Sequence, residues 1–470
     1  MALHIYSTTE RNVVPFTPLD PSIVKIYTCG PTVYRYAHIG NLRTYLMSDI
    51  LVRVLRYLSY TVYHVKNITD VGHMRQEMLE RGEDKVIAAA RAARKTPEEI
   101  AGYFTAAFLR DEGRMGIAPA DLYPRASDHI EEMIELVSKL VLKGFTYERE
   151  GTIYFDVGRF SDYGKLSRNL PEQLREGYRS EADHHKKNPE DFTLWKQAEP
   201  GRELKWESPW GEGFPGWHIE CAAMAIKYLG KEFDVHLGGI DLVFPHHENE
   251  IAQARCAVGG NFARYWVHGG HLLVNGKKMS KSAGNEYTLD DLEERGFSPM
   301  DFRYLCLNAH YKTVMNFTME AQEGARKARS RLKSQALSLF EEHGMCDRPG
   351  ARAREFEGEF QGALESDLNI PKALATVWKM FRSDLGEAEK VYLLRKWDVV
   401  LGLDLFEKSE EKESERDEDF LKAREIAERR ARARKNRRYD EADLLRAEIK
   451  SLGYSVIDSK DGYILEKVKE

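Results

Sequence analysis

Two short motifs in this sequence carry groups that suit a polyphosphate. The first, His38-Ile39-Gly40-Asn41, stands where a loop runs into a predicted helix, whose N-terminus offers unpaired N–H groups and a positive dipole end. Gly40 lets a ligand approach the backbone closely, and His38 can donate a hydrogen bond to a phosphate oxygen. These four residues by themselves are more typical of an ordinary turn.

The second motif is a pair of lysines on a glycine-flanked loop, Lys278-Met279-Ser280-Lys281-Ser282. Two ammonium groups can move onto a polyphosphate and stabilise the charge that builds on a leaving pyrophosphate. An exposed basic turn is the alternative, but five such residues in this order rarely arise by chance.

Cysteine, histidine and glutamate residues that can ligate a metal ion are widely spaced. Cys29 follows a predicted strand, and Cys221 ends the segment GWHIEC. On a helix, His246 and Glu250 would project from one face and could ligate one ion. Because scattered residues of these types are more often part of a buried core, the spacing alone favours core residues over metal ligands.

Together the first two motifs resemble the HIGH-type and KMSKS elements that flank the ATP site of class I aminoacyl-tRNA synthetases. The fourth position is Asn41 rather than His, a variation that the family tolerates. CGPTVY, GWHIEC and FPHHENEIAQ are similar to segments of the cysteinyl-tRNA synthetase family, whose zinc is held by two Cys, a His and a Glu. The resemblance implies one Zn²⁺ per chain at Cys29, Cys221, His246 and Glu250.

The same resemblance implies the reaction. L-cysteine would be activated by ATP, with Mg²⁺ assisting, and transferred to the terminal adenosine of tRNA(Cys). Zn²⁺ binds thiolate strongly, whereas a hydrophobic pocket separates cysteine from serine poorly, so we expect no editing domain.

Individual roles also follow from the resemblance. The expected ATP contacts are His38, Gly40, Asn41, Asp241, Lys278 and Lys281, of which His38, Lys278 and Lys281 are expected to be catalytic. Thr69, Trp217 and His236 match positions that line the family's cysteine pocket, although Trp217 could equally be a core aromatic residue.

The elements that must position these residues form an α/β pattern. A strand at Val24–Thr28, a helix with apolar residues every fourth position from Leu42 to Leu58, and a strand within YTVYHVKNIT make a βαβ unit. Such a unit implies a parallel sheet with ligands at the carboxyl ends of its strands. We therefore predict a Rossmann-like parallel-sheet catalytic domain with a connective insertion, a helical domain and a small C-terminal mixed domain.

The predicted order of domains follows composition and periodicity. The catalytic domain occupies 1–143 and 216–314, separated by the connective insertion 144–215. A helical tRNA-binding domain at 315–406, an acidic linker at 407–419 and a small anticodon-side domain at 420–470 complete the chain. Within these, 75–142 is predicted to be mostly helical, GTIYFDV a strand, and YSVIDSKDGYILEK a hairpin.

The chain departs from the family pattern in three places. After NITD the family often continues with further acids, whereas this chain has Val71-Gly72-His73. The last segment lacks the Trp commonly seen there, and the linker is unusually dense in acids.

Composition bounds the remaining possibilities. The 470 residues are 42% hydrophobic with a net charge of −6, and no segment is apolar enough to span a membrane. Five scattered cysteines fit a reducing cytosol, so a cytoplasmic location is predicted, and the resemblance favours a monomer. Residues 422–450 contain eleven basic and six acidic residues. A localised basic segment in a mildly acidic chain favours a protein that binds one folded RNA over a protein that coats nucleic acids nonspecifically.

Two rival functions remain open at this level. A ligase of the same fold that joins cysteine to an amino sugar would need the zinc and ATP motifs but no basic C-terminal domain. The second rival is an inactive paralogue retained for RNA binding. Such a protein would need neither the four zinc-ligand positions nor an intact KMSKS motif, and this chain has both.

Overall fold

A computed structural model describes residues 3–76, 81–169, 185–279, 284–407, 418–435, 438–459 and 462–467. The chain divides into two compact units, 1–405 and 406–470. In the described part of the chain, no helix is both long and apolar enough to cross a bilayer.

The first unit opens with a short hairpin, and the predicted βαβ arrangement follows it. Its elements are the hairpin β1 (His4–Ser7) and β2 (Asn12–Pro15), then β3 (Val24–Thr28), α1 (Ile39–Tyr57) and β4 (Val62–Lys66). β3 pairs with β4 in parallel. The apolar repeat buries Leu42, Leu46, Ile50 and Val54 on one face of α1, which confirms the predicted helix.

The next stretch is helical, as predicted, apart from a short hairpin at its start. Its elements are β5 (Met74–Gln76), β6 (Arg81–Asp84), α2 (Lys85–Ala93), α3 (Pro97–Arg114) and α4 (Ile130–Leu142). The prediction of helix was wrong at β5 and β6, because these strands are short and polar and show no alternation of apolar residues.

Residues 144–215 carry an antiparallel sheet. Its strands are β7 (Thr146–Arg149), β8 (Thr152–Phe155), β9 (Phe192–Gln197) and β10 (Gly213–Pro215), in the order β10-β9-β8-β7. β8 is the strand predicted in GTIYFDV. Phe155, Phe192 and Trp195 of this sheet are buried in a core that they share with residues of the parallel-sheet region such as Tyr27 and Phe233.

The parallel sheet then resumes. The elements are α5 (Trp217–Leu229), β11 (Glu232–Gly239), α6 (Glu248–Val258) and β12 (Phe262–Gly269). The four parallel strands lie in the order β12-β11-β3-β4, so Thr28, Lys66, Gly239 and Gly269 end at one edge. The Rossmann-like parallel sheet is confirmed, and this edge is where ligands are expected.

A small sheet and a set of helices complete the first unit. The elements are β13 (Leu272–Val274), β14 (Lys277–Lys278), α7 (Leu289–Glu293), α8 (Pro299–Leu307), β15 (Met315–Phe317), α9 (Met319–His343), α10 (Ala351–Glu365), α11 (Ile370–Phe381) and α12 (Glu387–Leu401). The fully buried Arg303 of α8 pairs with Asp49 of α1 at 3.0 Å and donates to Leu401 O at 2.8 Å. This contact fixes the helices against the catalytic sheet.

The second unit has its own small core. Its elements are α13 (Glu418–Lys435), α14 (Tyr439–Ser451), β16 (Tyr454–Ser459) and β17 (Gly462–Lys467). The predicted basic helical segment is two helices, and the predicted hairpin is confirmed by the pairing of β16 with β17. Of the acidic linker, 408–417 lie outside the described residues.

Candidate active site

One cavity opens at the edge where the parallel strands end. Its volume is about 410 Å³, within the usual range for a small-molecule site. Among the residues that line it are Cys29, His38, Gly40, Asn41, Thr69, Trp217, Cys221, Asp241, His246 and Lys278. Motifs that are far apart in the sequence therefore meet around a single space.

The His38–Asn41 segment begins α1 with a reciprocal cap. His38 Nδ1 accepts a hydrogen bond from Asn41 N at 3.2 Å, and Asn41 Oδ1 accepts one from His38 N at 3.3 Å. Because Nδ1 accepts, the ring proton of the neutral imidazole lies on Nε2, which can donate to a ligand. Burial, reinforced by the Arg35 guanidinium, lowers the pKa of His38 and favours that neutral form.

The cap also bears on the role expected for Asn41. Its side-chain oxygen already serves the helix N-terminus, although the residue lines the cavity. Its contact with ATP stays a prediction.

The lysine loop packs directly on this helix N-terminus. A Cβ at Gly40 would overlap Cε of Met279, so the two motifs are in close contact and a side chain at position 40 would displace the end of the Met279 side chain. Ile39 N donates to Tyr287 O at 2.8 Å, which ties the far side of the loop to the same turn.

The structure describes only one of the two lysines of the loop. Lys278 ends β14, is exposed and lines the cavity, and its carbonyl accepts a hydrogen bond from Asn285 Nδ2 at 3.1 Å. Lys281 lies outside the described residues, so its role stays a prediction.

Asp241 lies just beyond the end of β11 and lines the same cavity. A Cβ at Gly239 would collide with Asp241 Oδ1, so the carboxylate lies close to the backbone. An exposed carboxylate here can accept hydrogen bonds from vicinal hydroxyls, which is the chemistry predicted for a ribose contact.

Four buried donors converge at the base of the cavity. Cys29 follows β3, Cys221 lies on α5, His246 precedes α6 and Glu250 lies within it. Cys29 Sγ is 3.9 Å from Cys221 Sγ and 3.6 Å from Glu250 Oε1, and His246 Nε2 is 3.0 Å from that oxygen. Donors of a tetrahedral zinc site are about 3.3–3.8 Å apart, given bonds of about 2.0–2.3 Å, so these residues fit a zinc ion.

The position of His246 differs from the expectation in one respect. It lies in a turn at Val243–His247, in which Phe244 has φ −139° and ψ 133°, rather than on the helix that carries Glu250. The two side chains still meet.

The pKa shifts of the donors also favour binding of a cation in this cluster. A hydrogen bond from Cys29 lowers the pKa of Cys221 to about 6 against the opposing effect of burial. Burial raises the pKa of Glu250, but His236 and His246 outweigh it and hold that pKa at about 2. These shifts favour the ionised forms of Cys221 and Glu250, which are the forms that ligate a metal ion.

A second donor set overlaps the first. It contains Cys29, His236, His247 and Glu250. His236 and His247 are fully buried and are not among the residues that line the cavity, whereas Cys29, Cys221 and His246 are. Three members of the first set therefore line the cavity, against one member of the second.

Three histidines that the sequence analysis did not single out orient the donors. His218 Nδ1 is 2.9 Å from His246 Nδ1, which leaves His246 Nε2 to face the cluster. His247 lies 3.3 Å from Cys29 Sγ through Nε2 and 2.7 Å from His268 Nε2 through Nδ1. Such outer contacts fix ligand orientation, and two of these histidines stand inside motifs already quoted, GWHIEC and FPHHENE.

The three residues expected in the cysteine pocket fall in different places. Thr69 and Trp217 line the cavity, and the Trp217 indole lies 4.4 Å from the His246 ring at an interplanar angle of 26°. His236 lies behind the donors instead, with Nε2 2.9 Å from Glu250 Oε2 and its ring stacked on Trp266. Its contact is with a donor, not with the cavity.

The cavity therefore joins two kinds of chemistry. One end offers a helix N-terminus, a neutral histidine donor and a lysine, which suit phosphate. The other end offers a buried Cys/His/Glu cluster that could hold a metal ion, beside an aromatic wall. A small thiol and a nucleotide can meet between them.

Comparisons with known proteins agree with this combination. The family described as tRNA synthetases class I (C) catalytic domain matches residues 15–327. A cysteine–tRNA ligase of Thermus thermophilus is 43% identical over 98% of each chain. Cysteine–tRNA ligases of Thermococcus gammatolerans and Chlamydia muridarum are 40% and 41% identical over 100% of both chains.

A solved structure extends the likeness to the fold. Mycobacterium tuberculosis methionyl-tRNA synthetase in complex with methionyl-adenylate superposes with a TM-score of 0.55 and 17% identity, covering 81% of this chain and 89% of that one. At that identity the likeness concerns the fold alone. Full-length identity of 40–43%, together with the catalytic-domain match, shows that the chain belongs to the cysteine–tRNA ligase family of class I aminoacyl-tRNA synthetases.

Proposed function

We propose that this protein activates L-cysteine with ATP to cysteinyl-adenylate and transfers the cysteinyl group to the 3′-terminal adenosine of tRNA(Cys). The observation that carries the proposal is the single cavity, which brings the buried Cys/His/Glu donors together with the HIGN and KMSKS segments. Residues suited to selecting a thiol and residues suited to phosphate chemistry line this same cavity.

In the first step the cysteine carboxylate attacks the α-phosphate of ATP, and pyrophosphate leaves. His38 donates through Nε2 to a phosphate oxygen, and Gly40 lets the nucleotide approach the backbone. Lys278 and Lys281 stabilise the charge on the departing pyrophosphate, with Mg²⁺ assisting, and Asp241 accepts from the ribose hydroxyls. Catalysis is by positioning and charge stabilisation, without a covalent enzyme intermediate.

Cysteine is selected at the other end of the cavity. Cys29, Cys221, His246 and Glu250 would hold one Zn²⁺, which supplies a thiophilic Lewis acid that favours a thiolate over a hydroxyl. Thr69 and Trp217 form the wall beside it.

His236 takes a supporting part in this proposal. Its Nε2 is 2.9 Å from Glu250 Oε2, which orients the carboxylate toward the ion. This geometry supports a positioning role in place of the direct substrate contact expected from the sequence.

In the second step a hydroxyl of the terminal adenosine attacks the adenylate. The helices of 315–406 and the small unit at 420–470 would hold the tRNA, with 144–215 near its acceptor end. We propose that the protein acts in the cytoplasm, which its five free cysteines support, and that it is a monomer, as the family resemblance implies.

Neither rival function is favoured. The cysteine–tRNA ligases that match do so over their full length, the C-terminal unit included, which a ligase without an RNA substrate would not need. The intact donor cluster and the cavity around it have no purpose in an inactive paralogue.

The deciding experiment is aminoacylation of total tRNA with the zinc-loaded enzyme. We expect charging with cysteine and at least about 10³-fold lower kcat/KM with serine, because a thiophilic ion discriminates far beyond what a hydrophobic pocket achieves. No charging with cysteine would contradict the proposal.

A further inference from the structure

His73, three residues after the NITD segment, lies in the wall of the cavity. Its imidazole is only 6% exposed and hydrogen-bonds to Thr32 Oγ1 through Nδ1 and to Lys85 Nζ, 2.9 Å away, through Nε2. Because an ammonium group only donates, Nε2 must accept, and the ring proton must lie on Nδ1, which donates to Thr32. His73 is thus a neutral acceptor that fixes the direction of the Lys85 side chain.

The backbone around Lys85 is held from several sides. Lys85 N donates to His73 O at 3.0 Å, and the residue is the first of α2. The preceding Asp84 is buried, accepts from Gly72 N at 2.9 Å, and pairs with Arg202 Nη2 at 2.9 Å. Lys85 therefore starts from a fixed point, and its half-buried side chain reaches the cavity.

The position of this pair relative to the metal donors follows from one tryptophan. The His73 ring lies 4.3 Å from the Trp217 indole at an interplanar angle of 11°, and the His246 ring lies 4.4 Å from the same indole. His73 is thus separated from a proposed metal ligand by one indole, and Lys85, which His73 orients, lies beyond it along the wall of the same cavity. Because the donors and Lys85 line one cavity, a bound amino acid can face the donors with its thiol and Lys85 with its carboxylate.

Charge decides which substrate group belongs at each end. The donor cluster contains two cysteines and a carboxylate, and these acidic groups disfavour binding of the substrate carboxylate beside them because like charges repel. An oriented ammonium group favours it through a charge-assisted hydrogen bond.

We propose that Lys85 binds the α-carboxylate of the amino-acid substrate and that His73 is the residue that positions it. This assignment rests on the proposed function and adds a subsite for the reacting carboxylate to it. The alternative is a purely structural lysine, held over the Tyr34 ring at 5.4 Å from its centroid.

The test compares cysteine with cysteamine, which keeps the thiol and the amine but lacks the carboxylate. In cysteine-dependent pyrophosphate exchange by the zinc-loaded full chain, Lys85→Met should raise the KM for cysteine by about 10- to 100-fold, with the KM for ATP unchanged. The inhibition constant of cysteamine should not change. Lys85→Arg, which keeps the charge, should stay within a few-fold of the wild type for cysteine.

A second variant separates orientation from packing. His73→Phe keeps an aromatic ring against Trp217 but removes the acceptor for Lys85, so it should weaken cysteine several-fold and leave cysteamine unchanged. It also decides the matter if Lys85→Met does not fold, as judged by its zinc content and thermal unfolding.

The outcomes distinguish this assignment from the function on which it rests. If the variants weaken cysteine and cysteamine equally, or raise the KM for ATP instead, the carboxylate assignment is overturned while the enzyme remains a cysteine-activating one. If the wild type shows no cysteine-dependent exchange, both proposals fall.

Discussion

Two buried cysteines of this protein show how strongly surroundings change one residue type. Cys221 lies 3.9 Å from Cys29 and receives its hydrogen bond, which lowers the pKa of Cys221 to about 6. Cys256 lies on α6 among apolar neighbours, and burial raises the pKa of its thiol to about 12. The first is prepared to ligate a cation and the second is an inert core residue.

This contrast gives a matched pair of substitutions. Cys221→Ser should lower zinc affinity by more than about 100-fold, since even the loss of an outer contact to a ligand costs about 10- to 100-fold. Cys256→Ser should retain the wild-type zinc content. Metal analysis after dialysis against a graded chelator measures both, and equal zinc loss in the two variants would contradict the assignment of Cys221.

The lysine loop offers another residue-scale pair. Lys281→Ala should slow pyrophosphate exchange by about 10²- to 10³-fold, because a charge that stabilises the leaving group is lost, while zinc content stays unchanged. Lys277→Ala is the control, since Lys277 is exposed on β14 and is not among the residues lining the cavity. Normal exchange in Lys281→Ala would remove the role given to the loop.

At the scale of elements, the site depends on close contact between α1 and the lysine loop. The sequence predicts α1 from an apolar residue at every fourth position, and it predicts β3 and β4 from their β-branched residues. Both patterns involve residues close together in the chain, so they can be recognised without the tertiary structure. The polar hairpin β5–β6 could not, since its pairing has no apolar signature. Neither could the turn that holds His246 ahead of α6, because it interrupts the helical spacing that pairs this residue with Glu250.

The contact between Gly40 and Met279 is testable by a double-mutant cycle. Gly40→Ala adds a Cβ that overlaps Met279 Cε, so the end of that side chain must move, and we expect the KM for ATP to rise by no more than about 10-fold. Met279→Ala removes the colliding atom, and the double variant should recover part of the loss. Strictly additive effects in exchange kinetics would show that the two motifs do not act through this contact.

At the scale of the whole molecule, the net charge of −6 averages over unlike parts. The compact unit at 406–470 has a core of its own, including Ile426, Leu445, Ile449 and Tyr454, and bears the basic segment. The identities of the metal donors were available in the sequence only through family resemblance. Spacing could not give them, because Cys29, Cys221 and Glu250 come from three separate segments that only the tertiary structure brings together.

Division into two units predicts that the two reaction steps can be separated. A chain ending at residue 405 should keep pyrophosphate exchange within about twofold, since the cavity belongs wholly to the first unit. Its KM for tRNA should rise by at least about 10-fold, because the basic segment proposed to contact phosphates is gone. Unchanged aminoacylation by the shortened chain would contradict the RNA-binding role of the second unit.

Zinc-edge X-ray absorption of the enzyme with and without cysteine tests the central claim most directly. We predict one zinc per chain with two sulfur neighbours, from Cys29 and Cys221, and a third sulfur neighbour when cysteine, but not serine, is added. A zinc environment that cysteine leaves unchanged, or a protein that binds no zinc, would contradict this claim.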